Sequence, residues 1–383
     1  MIYLDSAATT LQKPPAVARA SAHAINHLAS PGRGGHQPAM KAAETAFACR
    51  EAAADLFHVK EPDDVVFTMN ATHALNLAIK SIVGPGGTVL VSGYEHNAVT
   101  RPLAAIPGVT VKVATARLFD PEGILREFYR QLTDEVDCVV CNHVSNVFGF
   151  VLPVREIADL CARRGVPFIL DASQSAGALP VHMDELGAAF IAMPGHKGLY
   201  GPQGTGLLLC DHAATPLVEG GTGSLSAVQA MPDFLPDRLE AGTHNIAGIA
   251  GLLEGIRFVQ DKGADTILNH ERLLCSQAAQ ALEEIPGVTV FAAPRLFCQA
   301  GVLSFLVDGM DCEEVGDALG EQGIAVRAGL HCAPYAHRSA GTFDTGTVRA
   351  SFSAFNTGRD VDGLTAAVRR LAADRGGRTQ RAM

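Results

Sequence analysis

The chain has 383 residues, 48% of them hydrophobic, with a formal net charge of −10 and no long Lys/Arg run. That length favours two domains around a large core, and the charge argues against nucleic acid or an anionic membrane as the main partner. Nowhere do 18 apolar residues run unbroken, and the opening MIYLDSAATTLQKPP has neither a basic start nor an apolar signal segment, so a soluble cytoplasmic protein is expected.

From about residue 65 to 210, short apolar runs alternate with amphipathic or Gly-rich segments. The runs are VVFT, TVLVS, TVKVAT, VDCVVCNHV, PFILDAS, AAFIAM and GTGLLLC. Several are apolar throughout, which predicts strands covered on both faces, as in a mostly parallel sheet with helices above and below. Helical spacing and Gly stops predict helices at ATHALNLAIKSIV and VREIADLCARRG. A long helix over NIAGIAGLLEGIRFVQDKG leads to a different order: a helix at 266–285, strands VTVF and VLSFLV, a helix at CEEVGDALGEQG, a strand IAVRAG and a closing helix near 360–374. This predicts an α/β domain followed by a smaller α+β domain, divided near Gly263, with a frayed basic tail RGGRTQRAM.

Nine cysteines, scattered through apolar segments, suit a reducing compartment without disulfides. Cys138 and Cys141 have C-x-x-C spacing, but a strand would point them to opposite faces, so they read as buried structural thiols.

Ligands of open α/β sheets sit at the carboxyl ends of strands, which directs attention to polar residues just after each apolar run. PFILD ends in Asp171 with Gln174 close behind, and AAFIAM ends in Pro194-Gly195-His196-Lys197-Gly198. Of seven lysines, Lys197 alone follows a buried run inside a Gly-rich turn, whereas Lys13, Lys41, Lys60, Lys80, Lys112 and Lys262 lie in polar or exposed-looking contexts. A lysine amine and a carboxylate are what pyridoxal 5'-phosphate (PLP) needs, one for a Schiff base and one to keep the pyridine nitrogen protonated. On position alone, Lys197 reads equally well as an ordinary surface lysine.

The segment MPGHKGLYGPQGTGLL, with DASQSAGALPV before it and EAGTHNIAGIAGL after it, resembles the fold-type I PLP enzymes of the class V aminotransferase family, and within them the cysteine desulfurases. The likeness runs from LDSAATT to RASFSAFNT. It implies a large PLP-binding domain at 15–262 and a small domain made of 1–14 and 263–383. It also implies that Lys197 is the Schiff-base lysine, Asp171 the pyridinium partner, Gln174 the residue on the cofactor's phenolic oxygen and His96 the ring-stacking histidine. The cofactor phosphate is expected at the turn from VVFT into HALNLAI, at Ala71, Thr72 and His73, where free N–H groups of a helix start face an anion. Taken alone, Thr72 reads as well as an N-cap, and His96 as a packed histidine at a helix start. The resemblance adds His196 to the phosphate site and Thr243 from a neighbouring subunit, hence a homodimer. Where the family has Ser before Gly-His-Lys this chain has Pro194, so that hydroxyl must be missing or replaced.

Sulfur chemistry is expected in RAGLHCAPYAHRSAG, where Cys332 sits in a Gly- and Pro-flanked loop, with His331 and Arg327 near it in sequence. In isolation the motif reads as an idle thiol or as a metal ligand with His331 and His337. The match to the short cysteine loop of SUF-type desulfurases makes Cys332 the nucleophile. By the same resemblance Arg349 binds the substrate carboxylate. Asn146 shares that role, Arg327 is counted with them as substrate-binding and Arg33 lines the entrance, although each is also readable as a surface or capping residue. The implied reaction converts L-cysteine to L-alanine, leaves a persulfide on Cys332 and passes sulfur to a protein acceptor. Selenocysteine lyase, cysteine sulfinate desulfinase, a class V transaminase and a non-catalytic scaffold are the rivals. The Gly-rich pieces GGTGS and GPQGTG complete no nucleotide-binding motif.

Overall fold

A computed structural model describes residues 1–32 and 34–381, with 374–381 as backbone alone. The chain opens with β1 (Ile2–Tyr3), α1 (Pro15–His27) and α2 (Gln37–Phe57). It then alternates: β2 (Val65–Thr68), α3 (Ala71–Ile82), β3 (Thr88–Ser92), α4 (Asn97–Ala105), β4 (Thr110–Ala114), α5 (Pro121–Gln131), β5 (Cys138–Asn142), α6 (Val154–Arg164) and β6 (Phe168–Asp171). The short α7 (Met183–Leu186) precedes β7 (Phe190–Pro194), β8 (Gly206–Cys210), α8 (Ile246–Lys262) and α9 (Ala264–Glu283). The rest is β9 (Val288–Phe291), β10 (Val302–Val307), α10 (Cys312–Glu321), β11 (Ile324–Ala325), β12 (Arg327–Gly329), α11 (Pro334–Ala340), β13 (Thr347–Ser351) and α12 (Gly358–Arg381).

Seven strands form one sheet in the order β2-β8-β7-β6-β5-β3-β4, in which only β8 runs against the others. Its central strands are buried on both faces, which is why their sequences are apolar throughout rather than alternating. Val139 and Cys141 enter the core on one side of the sheet, Cys138 and Val140 the core on the other. The two cysteines therefore point apart, as strand alternation requires. Because β2, β3, β5, β6 and β7 run parallel, their carboxyl ends lie along one edge, and that edge carries the polar residues of the candidate site.

A second, antiparallel sheet, β12-β13-β10-β9, packs against α9, α10 and α12 around its own apolar core. The passage from α8 to α9 turns at Gly263, whose φ of +79° suits glycine. The run IAVRAG, expected as one strand, divides. Its first part (β11) pairs with β1 and its second (β12) with β13, so the two halves belong to different sheets. The closing helix extends to Arg381, past the expected end at 374 and into the segment expected to fray.

The N-terminal segment is drawn between the two sheets. Asp5 bridges to Ser351, the Ala7 N–H donates to Ser351 Oγ, and Asn356 Nδ2 donates to the Tyr3 carbonyl. Residues 5–13 thereby reach the strand ends of the large sheet.

Candidate active site

Asp171 ends β6 with its carboxylate buried, and Oδ1 accepts the Ser173 N–H at 2.9 Å. The next strand ends at Pro194 and turns through Gly195, His196 and Lys197. That turn crosses residues 176–177 so closely that a Cβ on Gly198 would lie 2.3 Å from the Ala176 carbonyl oxygen, and one on Gly177 2.2 Å from that of Gly198. Only glycine fits at this crossing, and the crossing aims the lysine back toward Asp171. Lys197, Asp171, His96 and Gln174 line one small chamber, together with Ala71 and Thr72 from the start of α3 and Asn146 from the loop after β5. It shares Asn70 and His196 with a wider cleft of 820 Å³.

The chamber's titratable groups are held in reactive or neutral forms. Burial lowers Lys197 to about 8 although Asp171 opposes the shift. About a tenth of such amines are neutral at pH 7, against roughly one in three thousand for an unperturbed lysine. Burial first and the Lys197 charge second also lower His96 and His196, so both rings are neutral near pH 7. His96 caps α4, its Nδ1 accepting the Ala98 N–H at 3.0 Å, so the packed-helix-start reading and the chamber-lining reading both describe it.

At the start of α3 the N-cap is Asn70 rather than Thr72. Its side chain takes the His73 N–H at 2.9 Å, and the His73 ring faces the wider cleft. The N–H groups of Ala71 and Thr72 have no partner within the helix and are the ones left for an anion. Pro194 supplies no hydroxyl, and the hydroxyls on the chamber wall belong to Thr72 and Ser173. Gln174 donates to the Ala7 carbonyl at 2.9 Å. Thr243 is exposed and lines the wider cleft, not the chamber. Its loop is anchored by Glu240, which is buried, paired with Arg50 at 2.6 Å and bonded to His244.

Arg349 lies under Asn146 rather than on the chamber wall. Its Nη1 donates to the Asn146 carbonyl at 2.9 Å and its Nη2 to Asp5 Oδ1 at 2.7 Å. The Arg349 Nε–H, the Asn146 Oδ1 and the His331 Nδ1 are all buried without a partner. An unused donor beside an unused acceptor suits the carboxylate and amine of an amino acid. Arg327 sits opposite Arg349 in the β12–β13 register and shares Asp5, its Nη2 3.0 Å from Oδ2. Arg33 lies outside the described residues.

Cys332 is exposed, while the other eight cysteines are buried. Its carbonyl accepts the Asn97 N–H at 2.7 Å, and the preceding His331 carbonyl accepts Asn146 Nδ2 at 2.9 Å. Two hydrogen bonds, one between backbones and one from the Asn146 side chain, thus fasten the cysteine loop to the start of α4, beside His96, and to the loop of Asn146. The sequence places His331 and Arg327 near the thiol, and in the structure both side chains are engaged elsewhere. The His331 ring is buried with Nε2 on the Thr347 carbonyl at 3.1 Å, and burial drives it down to about 2, so it is neutral. Arg327 is engaged by Asp5. His331 stacks on His337, and among the described residues no group of three His, Cys, Asp or Glu side chains is arranged to hold a metal ion.

Two residues escaped the sequence reading. Lys13, taken as exposed, is half-buried. Burial lowers it to about 8, and its Nζ bonds Thr10 Oγ1 at 2.9 Å beside the His196 carbonyl. Asp5 had no local signal beyond its place in LDSAATT, because its arginine partners lie more than 300 positions away in the chain.

Residues 2–364 match the family described as aminotransferase class-V. The chain belongs to the class V aminotransferase family. It is 36% identical, over 97% of its length, to a probable cysteine desulfurase of Mycolicibacterium paratuberculosis, but spans only 55% of that relative. A probable cysteine desulfurase of Halalkalibacterium halodurans is 32% identical, with 95% of this chain and 91% of the relative covered. Among solved structures, the apo cysteine desulfurase of Thermococcus onnurineus superposes with a TM-score of 0.87 at 29% identity, covering 97% of this chain and 95% of the other. The Escherichia coli cysteine desulfurase CsdA, in an S-sulfonic acid form, gives 0.86 at 29% identity, covering 96% and 94%. This family member therefore has the fold-type I architecture expected from its motifs.

Proposed function

We propose that the chain is a PLP-dependent cysteine desulfurase, converting L-cysteine to L-alanine and holding the sulfur as a persulfide on Cys332. The observation that carries this reading is the one exposed cysteine of nine, on a loop hydrogen-bonded to Asn97, next to His96, and to Asn146, while His96 and Asn146 line the chamber that holds Lys197 and Asp171. The chamber fits the cofactor. It offers an amine, a buried carboxylate, an imidazole and two helix-start N–H groups, with orphaned polar atoms alongside. When bound, PLP supplies an electron-accepting ring that makes the substrate Cα proton removable.

The chain's own residues do the rest. Lys197 Nζ would hold the cofactor and, as a free amine, accept the substrate Cα proton. Asp171 would keep the ring nitrogen protonated. Arg349 and Asn146 orient the substrate through its carboxylate. The Cys332 thiolate attacks the substrate sulfur, forming the S–S bond. The C–S electron pair stays on the substrate β-carbon and is protonated there, and the proton taken from Cα is returned by Lys197, giving alanine. On the same reading the chain divides into a PLP-binding part, 15–262, and a smaller part, 1–14 with 263–383. Its partners are a second copy, whose Thr243 would serve this chamber, and a protein that accepts the sulfur.

Purified protein given cysteine and a reductant is expected to form alanine and sulfide in equal amounts without a keto acid. Turnover that requires a keto acid, or that occurs only with selenocysteine or cysteine sulfinate, would place the chain among the rivals instead.

A further inference from the structure

Glu95 directly precedes His96 and is completely buried. Among the described residues no Lys or Arg is paired with it. Its Oε1 accepts the Asn142 N–H at 2.9 Å and also touches Ser92 Oγ, while Oε2 has no partner. Ser92 Oγ lies 2.8 Å from a second oxygen, Asn142 Oδ1. The Asn142 carboxamide cannot be turned round, because its Nδ2 donates to the Tyr94 carbonyl at 2.9 Å. Ser92 therefore faces two acceptor oxygens with one hydroxyl proton. If that proton goes to Asn142, the one between Ser92 and Glu95 must come from Glu95.

We propose that Glu95 is stored as a neutral carboxylic acid whose proton starts a relay through Ser92 and Asn142 to the Tyr94 carbonyl, making it a positioning residue for His96. The relay ends on the backbone that carries His96 into the chamber, and Asn142 stands opposite Asp171 in the β5–β6 register. Among the described residues Asp171 is the one carboxylate lining the chamber, and a neutral Glu95 puts no second negative charge near it. The role given to His96 rests on the desulfurase reading, but the protonation state does not.

The surroundings favour the neutral form. Asp171 from β6 and the Cys141 thiol from β5 face Glu95, and the nearby His96 is itself neutral. Burial, with Asp171 adding to it, pushes the Glu95 carboxyl up to about 8 against the hydrogen bonds from Ser92 and Asn142 that oppose the shift. With the folded value above the unfolded one near 4.5, this group's contribution to stability is fully present below pH 4.5 and is lost as pH rises to 8.

The test is infrared spectroscopy of the purified protein from pH 6 to 9.5. A carboxylic acid carbonyl band should persist at pH 7, fade with a midpoint near 8, and be absent in Glu95→Gln. Glu271, which burial also pushes up to about 8, should contribute a second band that Glu271→Gln removes. The melting temperature of Glu95→Gln relative to the natural protein should climb between pH 5 and 8. In the holoprotein the His96 ring resonances should move with the Glu95 midpoint, and that movement should vanish in Glu95→Gln. If Glu95→Gln does not fold, the Glu271→Gln protein must still show one acid band at pH 7. No Glu95-dependent band and a pH-independent melting difference would overturn the neutral-acid assignment, and His96 resonances indifferent to Glu95→Gln would overturn the positioning role. A failed desulfurase assay would leave the infrared result untouched.

Discussion

Arg327 and Arg349 lie opposite each other on adjacent strands, with the Asp5 carboxylate between them. Two like charges are tolerable there because one carboxylate serves both, and Arg349, 2% exposed, depends on it far more than Arg327, 51% exposed. Replacing Asp5 with Asn should therefore loosen the guanidinium proposed to hold the substrate carboxylate, raising KM for cysteine about tenfold or more while kcat changes less. An unchanged KM in steady-state kinetics would contradict the assignment. At Lys197 the prediction is one of pH. Because burial lowers the amine to about 8, capture of pyridoxal phosphate by cofactor-free protein should speed up about tenfold per pH unit below 8 and level off above it. In stopped-flow absorbance, a profile still rising steeply past pH 9 would mean that the lysine is not desolvated as the chamber implies. Lys197→Ala should abolish fixation of the cofactor by borohydride.

The apolar strands were legible in the sequence because a strand covered on both faces must be apolar throughout, and each core run of the large sheet shows it. Their polar ends were legible too, since parallel strands deliver Asp171, His96 and Lys197 to one edge. What could not be read were elements whose meaning depends on distant partners. Nothing local shows that IAVRAG splits between two sheets, that Lys13 tucks beneath the turn of His196, or that Asp5 meets two arginines from the far end of the chain. The burial of His331 is hidden for a similar reason: proximity to Cys332 in sequence says nothing about where a ring is buried. The turn holding Lys197 allows a prediction at this scale. Gly177 has φ +88° and no room for a Cβ, so Gly177→Ala should force that turn away from residue 177. A loss of about 2 kcal/mol or more is expected in chemical denaturation, together with weaker cofactor binding. An alanine variant as stable and as yellow as the natural protein would show that the crossing is slack.

Across the whole molecule, two sheets and the N-terminal strap between them converge on one chamber. The large sheet gives Lys197 and Asp171, the second sheet gives the arginines and the cysteine loop, and residues 5–13 bind the two together. The wider cleft, with Thr243 on its rim and Arg50 and Glu240 beneath, is the face assigned to a second copy. Sedimentation should accordingly find twice the chain mass, and a stable monomer with full activity would remove Thr243 from the site. The central claim is that sulfur passes from free cysteine to Cys332. Mass spectrometry after brief exposure to cysteine measures this directly: the account predicts one added sulfur atom on the peptide containing Cys332 and none on the Cys332→Ala protein. An unmodified Cys332 in protein that still releases alanine, or sulfur on another cysteine, would contradict it.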